Sequence, residues 1–191
     1  DMQSFYQKEM TDDDIINQPL SKIWPKKDID AIEDTQMAAL ATALRSTIPT
    51  KPRKGYRLNS WVNKVKSTRG IMQNMLSSDM PANEFISQLT QIEAVADIGY
   101  QAQLLAQLDK EQWSRIDKVD PQIGYQKRNE NGDYIPFVGF AVTIDKRTHT
   151  FNTEQRDISE IIDKVNNLLG GEVKTQALKF DLYSRGRGDA K

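Results

Sequence analysis

Between Thr35 and Ser78 the chain carries eight basic residues and no acidic one: Arg45, Lys51, Arg53, Lys54, Arg57, Lys64, Lys66 and Arg69. Five of them, from Lys51 to Lys64, lie in or beside one proline-bounded connection, and Tyr56 and Trp61 are interleaved with them. Cations attract phosphate by releasing condensed counterions, and an aromatic plane stacks on an unpaired base. The pattern therefore sketches a DNA or RNA contact surface made of Lys51, Arg53, Lys54, Tyr56, Arg57, Lys64, Lys66 and Arg69. The competing reading is a solvated face whose cations answer the acids of residues 12–14 and 28–34, with Trp61 in the core.

Other chemistry has thinner support. The single histidine, His149, follows Asp145, Lys146 and Arg147 near a strand turn. A general base needs a cleft and an orienting partner, and nothing in this spacing supplies either. Asp12, Asp13 and Asp14 could offer oxygen ligands to a divalent ion. They lack the spaced ligands and turn glycine of an EF-hand loop, and acids favoured by a helix N-terminus account for them. The sequence has no phosphate-cradling glycine motif, no GxSxG, no HExxH and no CxxC. The expectation is a protein without catalytic residues, cofactor or metal.

Composition narrows the classes further. The 26 basic and 27 acidic side chains leave a formal charge of −1, so any electrostatic function is local. The absence of cysteine removes disulfides, thiolate nucleophiles and cysteine-based metal sites, and it fits a reducing compartment. No apolar run approaches the roughly 20 residues that span a bilayer. A cytoplasmic protein without membrane contact is expected. The ends, Asp1-Met2-Gln3 and Ser184-Arg185-Gly186-Arg187-Gly188-Asp189, read as cuts in linker segments of a longer polypeptide.

These residues must be positioned by elements of two kinds. Residues 1–27 read as a short helix and an extended arm, with Trp24 before Pro25 as its anchor. Residues 28–118 read as nearly all helical. Asp28 or Thr35 caps a helix bearing Met37, Leu40, Leu44 and Ile48, and Pro49 and Pro52 end it. Asn59 or Ser60 caps the next helix, whose Trp61, Val65, Met72, Met75 and Leu76 face the core. Asp79 caps a third, with Phe85, Leu89, Ile92 and Ala96 on one stripe and a kink or break at Gly99.

The period changes after Asp120-Pro121. Residues 123–128 and 134–144 read as strands of a hairpin turned at Asn131-Gly132, with a third strand over 148–151. A helix follows, with apolar residues from Ile158 to Leu169 at helical spacing, and Gly170-Gly171 stops it. Residues 176–183 alternate as a last strand, so 119–184 form a small α+β region and 185–191 a flexible tail. The fold class expected is α+β: a helical region, then a small antiparallel sheet with one packed helix.

Trp24-Pro25-Lys26, the Ala-rich stretch 38–44, Pro49-Thr50-Lys51-Pro52, Trp61-Val62 and Arg69, followed by a β-rich unit and helix, resemble the accessory domains of the large polyvalent proteins of bacteriophages and conjugative plasmids. The resemblance covers residues 20–170. It implies an anti-restriction or DNA-protection context in a bacterial host cell, or carriage in a virion, and a non-catalytic role in binding or assembly. Its partners would be nucleic acid, other domains of the parent, or a separate protein. The alternative is a purely protein-binding or structural module.

Overall fold

A computed structural model describes residues 8–128, 130–154 and 157–170, and the chain divides into two compact units, Asp1–Ala106 and Gln107–Lys191. The first is helical and the second combines a sheet with a helix, so the architecture is α+β. The boundary lies before the 118/119 division read from the sequence. Residues of the 3-10 turn Lys110–Arg115 bond within the second unit: Gln112 donates to Asn166 Oδ1 (3.3 Å), and Arg115 donates to the Leu169 carbonyl (3.1 Å) and to Asp145.

Among the described residues the helical unit begins with three short helices, α1 (Asp12–Ile16), α2 (Leu20–Ile23) and α3 (Lys26–Asp30). The stretch expected to be an extended arm is thus helical in turns. Pro19 and Pro25 hold the N-cap positions of α2 and α3 with φ of −71° and −65°, where a missing N–H costs nothing. Trp24 itself stays non-helical and fully buried, the anchor its place before Pro25 implied.

Helix α4 (Thr35–Ser46) lies at the centre. Asp34, one residue before the expected Thr35, is its cap and accepts from the Gln36 and Met37 amides at 2.9 and 3.1 Å. Ala38, Ala39, Leu40, Ala41, Ala43 and Leu44 are all buried, because small side chains let neighbours approach from several sides. The long helix α5 (Tyr56–Ser77) buries Trp61, Val65, Met72 and Met75. Next come α6 (Ala82–Leu89), a 3-10 turn Glu93–Val95, and α7 (Ala96–Ala106), which packs most extensively on α4. Gln101 of α7 is buried but satisfied, donating to Ser46 Oγ at 2.8 Å. Pro81, with no side-chain cap bond, rather than Asp79, precedes α6.

Gly99 does not kink its helix. The break falls at residues 90–95, and Gly99 sits inside α7 where a Cβ would lie 2.8 Å from the Thr90 backbone nitrogen and 3.1 Å from the Leu89 carbonyl carbon. The turn after α6 therefore requires a residue without a side chain against it. Gly99→Ala is expected to destabilise the helical unit by about 1–3 kcal/mol through this overlap. Helix propensity alone would instead stabilise it by about 1 kcal/mol. The sign of the shift in a urea unfolding curve decides between them.

In the second unit β1 (Ile116–Arg128), β2 (Tyr134–Ile144) and β3 (Arg147–Thr153) form an antiparallel sheet in the order β1-β2-β3. Val138, Phe140, Val142 and Ile144 of β2 alternate into the core, and Ile158, Ile161, Ile162, Val165 and Leu169 in and around α8 (Ser159–Leu168), which packs on β3, are buried as well. β1 starts seven residues before the expected strand and runs through Pro121, which pairs with Phe140. Proline is tolerated there because β1 has one sheet neighbour among the described residues.

The first hairpin turns through Gly132 at φ 88°, as Asn131-Gly132 implied. The second falls between 144 and 148, where the sequence places a strand turn, but its geometry is unexpected: Asp145 and Lys146 take φ of 50° and 70° without being glycine. Arg115 holds this turn, its Nε and Nη2 meeting Asp145 Oδ2 at 3.2 and 2.7 Å, and the Lys146 amide donates to Asp117 at 2.7 Å. The Arg115 hydrogen bond holds the Asp145 carboxyl below its ordinary value. Gly170, at φ 75°, ends α8 as expected. The strand expected over 176–183 and the tail 185–191 lie outside the described residues.

Candidate nucleic-acid interface

The site is built on the connection from Pro49 to Gly55 and on the first turns of α5. Prolines 49 and 52 prevent α4 from continuing, and Gly55 supplies the φ of 79° with which the chain enters the next helix. Its carbonyl accepts from the Leu58 and Asn59 amides at 3.1 and 3.2 Å, so α5 starts at Tyr56, ahead of the expected Asn59 or Ser60. Over its 22 residues α5 contains no acidic side chain.

Trp61 fixes the connection to this helix. Its ring is 2 % exposed, and its Nε1 donates to the Pro49 carbonyl at 2.8 Å. The Lys51 ammonium stands 5.3 Å from the centre of the indole and points inward. It donates to the Gln18 carbonyl at 2.9 Å and to the Ile16 carbonyl, at the C-terminal end of α1. A cation there completes carbonyls left open where a helix ends.

Three more of the eight cations are turned toward the chain's own N-terminal segment. Arg45 Nε donates to the Trp24 carbonyl at 2.8 Å. Arg69 is 4 % exposed, and its Nη2 donates to the Lys8 carbonyl at 2.9 Å. Lys66 meets Asp12 Oδ1 at 3.0 Å across an exposed ion pair. Lys66 and Arg69 also line an open cavity of about 250 Å³ with Lys8, Glu9, Met10 and Gln73.

The acidic triplet occupies the first turn of α1. Thr11 caps it, its hydroxyl accepting from the Asp14 amide (3.1 Å) while its own amide donates to Asp14 Oδ2 (3.0 Å). The amide and hydroxyl of Thr11, with a smaller contribution from the charge of Lys8, hold the Asp14 carboxyl below its ordinary value. Among the described residues no group of three histidine, aspartate or glutamate side chains is placed to hold a metal ion. His149 is half-buried in β3 beside Phe151, the rings 6.4 Å apart.

The remaining four cations face water. Arg53, Lys54 and Arg57 are exposed, Lys64 is half-buried, and none of their side chains makes a hydrogen bond or ion pair among the described residues. Tyr56 stands between Lys54 and Arg57 and is 85 % exposed. The eight-residue set read from the sequence is thus divided: Arg53, Lys54, Tyr56 and Arg57 are exposed and Lys64 half-exposed, whereas Lys51, Lys66 and Arg69 are engaged within the chain. Sequence periodicity did hold the signal for Arg69, which falls between Val65 and Met72 on the buried stripe of α5. No comparable signal existed for Lys51, whose direction depends on the path of a loop. Comparison with protein families, curated proteins and solved structures finds no match for this chain.

Proposed function

We propose that this chain is a non-catalytic interaction module that holds nucleic acid on the outward surface of Arg53, Lys54, Tyr56, Arg57 and Lys64. The observation that carries the reading is the pairing of four unengaged cations with an exposed aromatic ring, on a stretch with no acid from Thr35 to Ser78. Placement in a larger phage or plasmid protein that protects mobile DNA rests on the resemblance of residues 20–170 to polyvalent-protein accessory domains. A bacterial cytoplasmic setting, or carriage in a virion, follows from the same resemblance. A second reading, a protein-binding or structural module, is supported by the other half of the cation set, which serves internal docking.

Four neutralised phosphates give a log–log salt slope of about −3 on single strands, so affinity falls about 50-fold between 50 and 200 mM salt. Fluorescence anisotropy of labelled oligonucleotides across that range tests this. The wild-type protein is expected to show the slope, and the quadruple variant Arg53→Gln, Lys54→Gln, Arg57→Gln, Lys64→Gln to lose most of it along with its affinity. Absence of salt-dependent binding at the lowest salt would reject the nucleic-acid reading and favour a protein partner.

A further inference from the structure

We infer that Tyr56 is a stacking platform for an unpaired base, so that the surface engages single-stranded in preference to duplex nucleic acid; this rests on the preceding reading. Two aromatic residues are interleaved with the cations, and the structure separates them. Trp61 is enclosed, its N–H held by Pro49 and its ring covered by the Lys51 ammonium. Tyr56 is the most exposed large apolar side chain among the described residues.

Helix geometry explains the exposure. Side chains on an α-helix lean toward its N-terminus and rest on the preceding turn. Tyr56 is the first residue of α5, so no helical turn lies beneath it, and Gly55 before it has no side chain to cover the ring. A tyrosine ring left in water is unfavourable and gains most of its contact area only when something flat closes on it. Lys54 and Arg57 flank it, so a strand whose phosphates meet these cations brings its bases to the ring. In a duplex the base faces are already stacked, and reaching them requires a costly unstacking. The cations alone would not distinguish a strand that carries bases from one that does not.

The test uses strands of equal length and charge. Labelled oligothymidylate, oligouridylate, an abasic strand and a duplex are titrated by anisotropy with the wild-type chain, Tyr56→Ala and Tyr56→Phe. The wild type is expected to bind at least one base-bearing strand about fivefold or more tighter than the abasic strand, and the tighter of the two identifies DNA or RNA as the source. Tyr56→Ala should bring that ratio close to one without changing the salt slope, and Tyr56→Phe should preserve it. Equal wild-type affinity for abasic and base-bearing strands, with the salt slope intact, overturns the stacking role and leaves the electrostatic surface standing. Loss of salt-dependent binding to every strand overturns both.

Discussion

Trp61→Ala is expected to remove about 3–5 kcal/mol from the stability of the helical unit, the range for deleting a fully buried aromatic side chain. Three contributions are lost together. The indole leaves a cavity on the buried stripe of α5 between it and its neighbours, the Pro49 carbonyl loses its donor, and the Lys51 ammonium loses the ring it stands over. Urea unfolding followed by far-ultraviolet circular dichroism measures the effect. Trp61→Phe separates the contributions, since it retains most of the apolar bulk and is expected to cost about 1–2 kcal/mol for the lost hydrogen bond and reduced volume. A loss below about 1 kcal/mol for the alanine variant would show that the connection is not fixed by this side chain, and its cations would then have no defined position.

Lys51→Met is expected to cost about 2–3 kcal/mol while leaving the salt slope of nucleic-acid binding unchanged. Methionine keeps the length and most of the apolar stem of lysine but cannot donate to the Ile16 and Gln18 carbonyls. Hydrogen bonds from a charged donor contribute about 1.5–3 kcal/mol, and the carbonyls at the end of α1 would lose theirs. Lys54→Gln, three residues along and exposed, is expected to change stability by less than about 0.5 kcal/mol. The pair is diagnostic because the two lysines look equivalent in the sequence. A Lys51→Met protein of wild-type stability and a diminished salt slope would place this ammonium on the outward surface instead.

Legibility of the fold followed the physics of each element. The β2 strand was readable because its aromatic and β-branched residues follow the Asn131-Gly132 turn signal, and in the fold alternate ones, Val138, Phe140 and Val142, are buried. The helix of residues 159–168 was readable because its apolar residues recur at a period of 3.6. The start of β1 was not, since Ile116 to Asp120 carry three charged residues on an edge strand and Pro121 argues against a strand until its single sheet neighbour is known. The place of the Asp145-Lys146 turn was readable between two strands, but its conformation was not, because its positive φ angles are held by Arg115 and Asp117 from elsewhere in the chain, not by glycine.

The candidate site divides in the same way. Composition located a stretch rich in cations and free of acids, and that is a local property. Direction is not local: it depends on what each side chain meets after folding. Thus Arg53 and Lys54 remain in water while Lys51, two residues before Arg53, turns beneath the loop. Trp61 and Tyr56 also look alike as aromatic neighbours of basic residues. Only one begins a helix, and the other falls on its buried face.

Arg45, Lys51 and Arg69 hold the N-terminal segment through the carbonyls of Trp24, Gln18, Ile16 and Lys8, an atom that every amino acid possesses. Such contacts recognise where the chain runs and not which side chains it bears. Exposed positions of that segment, such as Asn17, are therefore open to exchange without loss of these contacts, whereas a neutral apolar residue in place of any of the three cations removes a donor from the carbonyls it meets. The path of residues 8–24 is thus held at its carbonyls by the residues that receive it, while the segment's own Ile15, Ile23 and Trp24 supply its buried apolar contacts.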